Sequence, residues 1–305
     1  MSEKWRGVFT ILLTPFTEDG SLDEASLRRE VDFVIAAGCH GIVTPVNTSE
    51  FALLADEERR QLAGAAVSQA RGRVPVVIGV AASNATTASG LARHAREVGA
   101  SGVIAVPPYV VRMAPAMVAD YYARIAAAAD GLPVIIQNVG GAGEAVGVPL
   151  TPEQIMQLAD KIPSIQYVKE ETTPCTHQIT RLLKVSGGRL KGAFGGTGGR
   201  YLIDELQRGS CGLMSACHIV DAQVKVYELL SAGKEAEARA VWLRQLPVQN
   251  MWSLLGLVVP KEVLRRRGVI KTTICRRPVA VLDEHDHTEL DKALALVKDD
   301  LVAFP

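Results

Sequence analysis

At 305 residues, with 48% hydrophobic and 22% charged residues, the chain is long enough to bury a full-sized core without disulfides. Lysine plus arginine equals aspartate plus glutamate, 33 each, so no net field recruits nucleic acid or an acidic membrane surface, and a small-molecule partner is favoured. Met1 to Arg6 lack the apolar run and cleavage site of a signal peptide, and nothing later offers about 18 uninterrupted apolar residues for a membrane span, which predicts a cytoplasmic protein.

From the N-terminus to about residue 232, short β-rich runs alternate with amphipathic stretches, the pattern of repeated βα units on a parallel sheet. The runs are Val8–Leu13, Gly41–Pro45, Val74–Val80, Gly102–Val106, Val134–Asn138, Ile165–Lys169, Leu190–Phe194 and Gly212–Ser215. Between them, apolar residues at helical spacing mark Ser26–Ala37, Asp56–Ala70, Thr86–Val98, Met117–Ala129, Thr151–Ala159 and Ile179–Val185, with Gly38, Gly72, Gly99 and Gly131 as stops. Eight such units predict a closed (β/α)8 TIM barrel over residues 1–232, of class α/β. An open doubly wound sheet usually has fewer strands and often a glycine fingerprint at its first turn, which Val8–Phe16 lacks. Residues 233–305 read as a helical appendage, with helices predicted over Glu235–Gln245, Pro260–Arg267 and Thr288–Val302.

In a barrel of this kind the active site lies at the C-terminal ends of the strands. The second run leads into Asn47-Thr48-Ser49-Glu50, whose hydroxyls and backbone N–H groups suit a carboxylate, or else cap the helix over Asp56–Ala70, a role for which Glu50 is the better candidate. The fourth run leads to Tyr109. The fifth ends at Gln137-Asn138, and Gln137 can donate and accept hydrogen bonds but cannot serve as an acid or base near neutral pH. Lys169 closes the sixth run, and strand alternation projects Glu171 the same way. A buried ammonium costs several kcal/mol unless paired or neutralised, and a neutral amine attacks ketones. From spacing alone, a nucleophile and a salt bridge to Glu171 or Glu170 are equally good readings of Lys169. The seventh run enters Gly195-Gly196-Thr197-Gly198-Gly199, an anion cradle or simply a turn, and Ser215 ends the eighth.

The five cysteines, Cys39, Cys175, Cys211, Cys217 and Cys275, are scattered and never spaced CxxC, so buried free thiols are expected rather than disulfides or a zinc site. Asp283-Glu284-His285-Asp286-His287 could be read as metal ligands, but its place before a helical pattern favours a helix cap, and no metal site is assigned.

Beyond these local readings, the chain resembles the dihydrodipicolinate synthase and N-acetylneuraminate lyase superfamily of class I aldolases and dehydratases. Gly7-Val8-Phe9 with Leu13-Thr14-Pro15-Phe16 is similar to the opening strand, Asn47-Thr48-Ser49-Glu50 falls on the carboxylate-binding motif, and Val168-Lys169-Glu170 falls on the Schiff-base lysine strand. The resemblance therefore implies that Lys169 forms the Schiff base. There are departures. Gln137-Asn138-Val139-Gly140 stands where the family has a tyrosine as phenolic proton shuttle, Val110 replaces a second tyrosine beside Tyr109, and a substrate-binding arginine is replaced within Gly140-Gly141-Ala142. A glutamine at the tyrosine position, Phe51-Ala52, Met113 and Glu171-Thr172 resemble the 2-keto-3-deoxy-L-arabonate dehydratase branch, although Gly195-Gly196-Thr197-Gly198 stands where that branch has an acidic residue.

The resemblance implies a lyase acting on a small 2-keto acid without metal or organic cofactor, and a homotetramer. The expected reaction is dehydration of a 2-keto-3-deoxy sugar acid by Lys169, Gln137 and Glu171, with Asn47, Thr48, Ser49, Tyr109, Gly195 and Ser215 binding substrate. Two alternatives stay open: a retro-aldol lyase releasing pyruvate, and a non-catalytic keto-acid-binding or regulatory protein.

Overall fold

A computed structural model describes residues 4–110, 113–140 and 149–304. Eight parallel strands close into a barrel: β1 (Gly7–Ile11), β2 (Gly41–Thr44), β3 (Val76–Gly79), β4 (Gly102–Ala105), β5 (Val134–Asn138), β6 (Ile165–Glu170), β7 (Gly192–Gly195) and β8 (Gly212–Leu213). Each pairs with the next in sequence, and β8 returns to β1 through Gly7–Gly212 and Val8–Leu213.

Alternation divides the strand residues into two layers. One set, including Phe9, Val43, Val77, Ile104, Ile135, Tyr167 and Phe194, fills the barrel interior. The other, including Val8, Ile42, Val76, Val103, Val134, Val168 and Ala193, packs outward under the helices. The interior holds more aromatic volume than a ring of aliphatic residues would, and glycine makes the room: a Cβ on Gly41 would lie 2.4 Å from the Phe9 ring. Trp5 stacks on Tyr167 at 5.1 Å and closes the N-terminal end of the barrel.

The intervening helices are α1 (Glu24–Ala36), α2 (Asp56–Ala70), α3 (Ala85–Glu97), α4 (Pro115–Ala129), α5 (Pro152–Lys161), α6 (Cys175–Ser186), α7 (Leu202–Gln207) and α8 (Val220–Ser231). Their starts follow from side chains that satisfy the first free N–H groups: Asp23 accepts from Ser26, Asn84 from Thr87, and Thr151 and Gln154 cap α5 reciprocally.

After the barrel come α9 (Glu235–Leu255), α10 (Val258–Arg266) and α11 (Glu284–Val297). The first of these is predicted over Glu235–Gln245; the helix instead runs on through Pro247 to Leu255. Proline removes the bond to the carbonyl of Leu243, and Leu243 is exposed, where water can take that carbonyl. Val241 and Val248, on the other face, join a core shared with α7, α8, α10 and α11, which holds the helix across the break. The acidic and histidine cluster is a cap and first turn, as the pattern suggests: Asp283 accepts from the N–H of Asp286, whose carboxylate accepts from the N–H of Asp283. No helix among the described residues is long and apolar enough to cross a membrane.

Candidate active site

Gln137 and Lys169 are register partners on β5 and β6. Both continue the inward-facing rows begun by Ile135 and Tyr167, so alternation sets them side by side in the topmost interior layer. Lys169 is 2% exposed. Its Nζ lies 3.1 Å from Oε2 of Glu171, and the same oxygen accepts from Gln137 Nε2 at 3.0 Å. The other carboxylate oxygen accepts from the N–H of Thr197, on the β7 loop, at 3.1 Å. Glu171 is thereby fixed from three strands, and the loop must come close to do it: a Cβ on Gly196 would sit 2.3 Å from Glu171 Oε1.

These side chains form the floor of a cavity of about 470 Å³ open at the C-terminal end of the barrel. Asn47, Thr48, Thr197, Gly198 and Ser215 line it, together with Trp252 of α9 and Arg277 of the segment after α10. Gln223 donates to Ser215 Oγ at 3.3 Å, which orients that buried hydroxyl.

Glu170 projects outward, opposite to Lys169. It accepts from Asn138 Nδ2 at 2.9 Å and from Thr172 N at 2.8 Å, and burial pushes its carboxyl up to about 7. Behind the β7 loop, burial pushes Glu205 up to about 8, with the negative charge of Glu171 adding to the effect. Near neutral pH Glu205 is therefore protonated, which spares Glu171 a second full negative charge.

Four placements differ from the sequence reading. Ser49 does not line the cavity: its hydroxyl donates to Leu12 O at 2.6 Å and its N–H to Val46 O at 2.8 Å, because the turn after β2 winds into a single 3₁₀ turn over Asn47–Ser49. That leaves Asn47 and Thr48 as its cavity-facing residues. Tyr109 is off the cavity as well, packed edge-on against Phe51 at 5.6 Å, since β4 ends at Ala105 and Pro107-Pro108 lead the chain away first. Gly195 is covered by Glu205, whose Oε2 occupies a point 1.9 Å from where its Cβ would be, and Gly198 lines the cavity in its place. Glu50 is not a cap of α2, whose first turn is served by Glu58 accepting from Ala55 N. It is fully buried, ion-paired with Lys261 at 2.8 Å, and accepts from the N–H groups of Arg276 and Arg277 at 2.7 and 2.8 Å.

Thr173, Arg200, Trp252 and Arg277 also line the cavity and were not singled out by the sequence reading. Arg200 directly follows the glycine cluster and was within reach of it. Trp252 and Arg277 arrive from the helical C-terminal region, and no local spacing signals their approach. Of the fifth-strand departures, Gly140 lines the cavity, whereas Gly141 and Ala142 lie outside the described residues.

The dihydrodipicolinate synthetase family model matches residues 4–297. The chain belongs to that family. Its members are lyases, and this chain is one of them. It is 29% identical to an L-2-keto-3-deoxyarabonate dehydratase from Azospirillum brasilense, over 97% of this chain and 96% of that protein. It is 30% identical to a probable 2-dehydro-3-deoxy-D-pentonate aldolase from Escherichia coli K12, over 92% and 94%. Among solved structures, a prophage protein of the same family from Escherichia coli K12, crystallised in complex with pyruvate, superposes with a TM-score of 0.88 at 27% identity, over 97% of this chain and 99% of that one. A family dehydratase and a family aldolase thus resemble the chain about equally, so overall similarity does not choose between the two reactions.

Proposed function

We propose that this family lyase dehydrates a 2-keto-3-deoxy sugar acid through a Schiff base on Lys169. The carrying observation is the arrangement at the cavity floor: a 2% exposed lysine whose Nζ is 3.1 Å from Glu171 Oε2, a carboxylate also gripped by Gln137 and Thr197. Lys169 Nζ, lending a proton to Glu171, attacks the C2 ketone; that proton returns to the departing ketone oxygen, which leaves as water, and the resulting iminium acidifies C3. Glu171 is the base that takes the C3 proton. The C3 electron pair then forms the C3–C4 double bond as the C4 hydroxyl departs, Glu171 returning to it the proton taken from C3 so that it leaves as water, and hydrolysis of the iminium frees the product and Lys169. Asn47 and Thr48 hold the C1 carboxylate, Ser215 a substrate hydroxyl, and Gln137 the C4 leaving oxygen.

Cleavage of C3–C4 to release pyruvate uses the same iminium but needs a base on the C4 hydroxyl. The side chain across from Lys169 is the amide of Gln137, which takes no proton near neutral pH. That favours elimination over retro-aldol chemistry. Borohydride added with a 2-keto acid should fix a covalent adduct on the peptide containing Lys169, and product analysis should give a dehydrated keto acid; pyruvate plus an aldehyde would overturn the dehydratase reading. Family membership also supports a homotetramer acting in the cytoplasm without a cofactor, and a monomer mass in light scattering at micromolar concentration would overturn the assembly.

A further inference from the structure

The chemistry at the cavity floor uses neither of the two arginines on its rim. Arg200 follows the β7 loop and Arg277 precedes α11, and both line the cavity that holds Lys169. The Nε atom of each is buried with no hydrogen-bond partner among the described residues. No carboxylate pairs with either guanidinium among those residues. The group that matches a guanidinium's planar fork is a carboxylate or a phosphate.

Both arginines are anchored through their backbones. The N–H of Arg277 donates to Glu50 at 2.8 Å, one Nη holds the Asn47 carbonyl at 2.8 Å, and a proline follows. The carbonyl of Arg200 accepts from the Trp242 indole at 3.2 Å. The Arg277 guanidinium is thus organised before a ligand arrives, while Arg200 is held at its backbone.

Charge count points the same way. Lys169 and Glu171 offset each other, and among the described residues the remaining charged ones lining the cavity are Arg200 and Arg277. A 2-keto acid with only its C1 carboxylate brings one negative charge against two positive ones. The cavity extends from buried Lys169 to exposed Ser253 and Pro278, so a ligand longer than pyruvate can reach its rim.

We infer that Arg200 and Arg277 bind a second anionic group at the end of the substrate distal to the ketone, so that the preferred substrates are dianionic 2-keto-3-deoxy acids ending in a carboxylate or a phosphate ester. This rests on the Schiff-base reading of Lys169.

The test is borohydride capture across four acids: pyruvate, a 2-keto-3-deoxy acid ending in CH2OH, its counterpart ending in carboxylate, and its counterpart ending in phosphate. The native enzyme should half-saturate with at least one dianionic acid at about 10-fold or more below the CH2OH acid, and the carboxylate and phosphate arms identify the anion. Arg200→Gln and Arg277→Gln should each raise that concentration about 10- to 100-fold, and far more than they raise it for pyruvate. Arg→Lys variants should recover part of the loss. Equal half-saturation for the three longer acids, or a rise for pyruvate as large as for the dianions, overturns the inference. Should a variant melt early, the ranking of the four acids by native enzyme still decides. Failure of the Schiff-base reading looks different: no acid is captured at all, and calorimetric binding of the same four acids then reports on the arginines alone.

Discussion

Among the described residues, two buried lysine–glutamate pairs stand within this fold, and they differ in what surrounds them. Lys261 and Glu50 are both 0% exposed and 2.8 Å apart. Lys261 also donates to Ile274 O at 2.5 Å and lies 4.7 Å from the centre of the Phe16 ring, while Glu50 accepts two backbone N–H groups. Every face of that pair is covered. Lys169 and Glu171 have a similar separation, 3.1 Å, but they meet at the floor of an open cavity, and Glu171 keeps 14% of its side chain exposed. Burial of a charged pair is therefore not the signature of chemistry. What separates the two is whether a reactant could reach the nitrogen.

The sharpest way to break the comparison is removal of each lysine. Lys169→Ala should abolish borohydride capture and lower turnover by roughly 10⁴-fold or more with little change in melting temperature. Retained turnover would put Lys169 in the same structural class as Lys261. Removing one partner of the closed pair should act on folding instead: Glu50→Ala strands the Lys261 charge in the core and should cost about 3–5 kcal/mol in urea denaturation. A smaller loss, below about 1 kcal/mol, would mean that water reaches the pair after all.

Glu171→Gln keeps the shape but only one acceptor oxygen, so it can retain one of the two hydrogen bonds from Gln137 and Thr197 while removing the base, and turnover should fall by about 10²- to 10⁴-fold. Adduct formation with pyruvate should fall much less, which separates proton transfer from imine formation. Gln137→Ala should lower turnover by about 10- to 1000-fold, the scale of one positioned transition-state hydrogen bond, at nearly constant melting temperature. Unchanged turnover would leave Gln137 as packing.

The remaining effect is on pH. Glu30 is completely buried, accepts from Leu13 N at 2.8 Å, and burial pushes it up to about 8. Between its unfolded value near 4.5 and its folded value near 8, the folded protein holds the proton and the unfolded chain does not, so stability falls as pH rises through that window. Glu205 adds in the same direction. Urea titrations at pH 5 and pH 8 should show the decline, and Glu30→Gln should flatten it; stability rising over that range would contradict the assignment.

The barrel was legible because most strands announce themselves locally, in a β-branched run bounded by glycine or by a helix start, while β7 and β8 carry no β-branched residue and show only as short apolar runs. Lys169, Glu171 and Gln137 were legible for a related reason: alternation fixes their facing once the strand is placed, and neighbouring strands fix their meeting. Glu50 was misread because its partners, Lys261 and the N–H groups of Arg276 and Arg277, lie more than 200 positions away, where no periodicity carries information. Ser49 and Tyr109 were misread on a finer scale. Their distance from a strand end is right for a site residue, but a 3₁₀ turn in one case and a proline pair in the other redirect the side chain within a few residues. The last three turns of α9 were missed as well, because the helix is carried across Pro247 by packing on its other face.

Glu50 ties the turn after β2 to a segment made much later in the chain. Trp252, Arg277, Pro278 and Val279 form one wall of the cavity, and every one of them lies beyond the eighth strand. A chain cut after the eighth strand would therefore lack that wall, and Lys169 would open to bulk water on that side. The wall is held to the barrel rim where Lys261 and the backbone of Arg276 and Arg277 meet the Glu50 carboxylate.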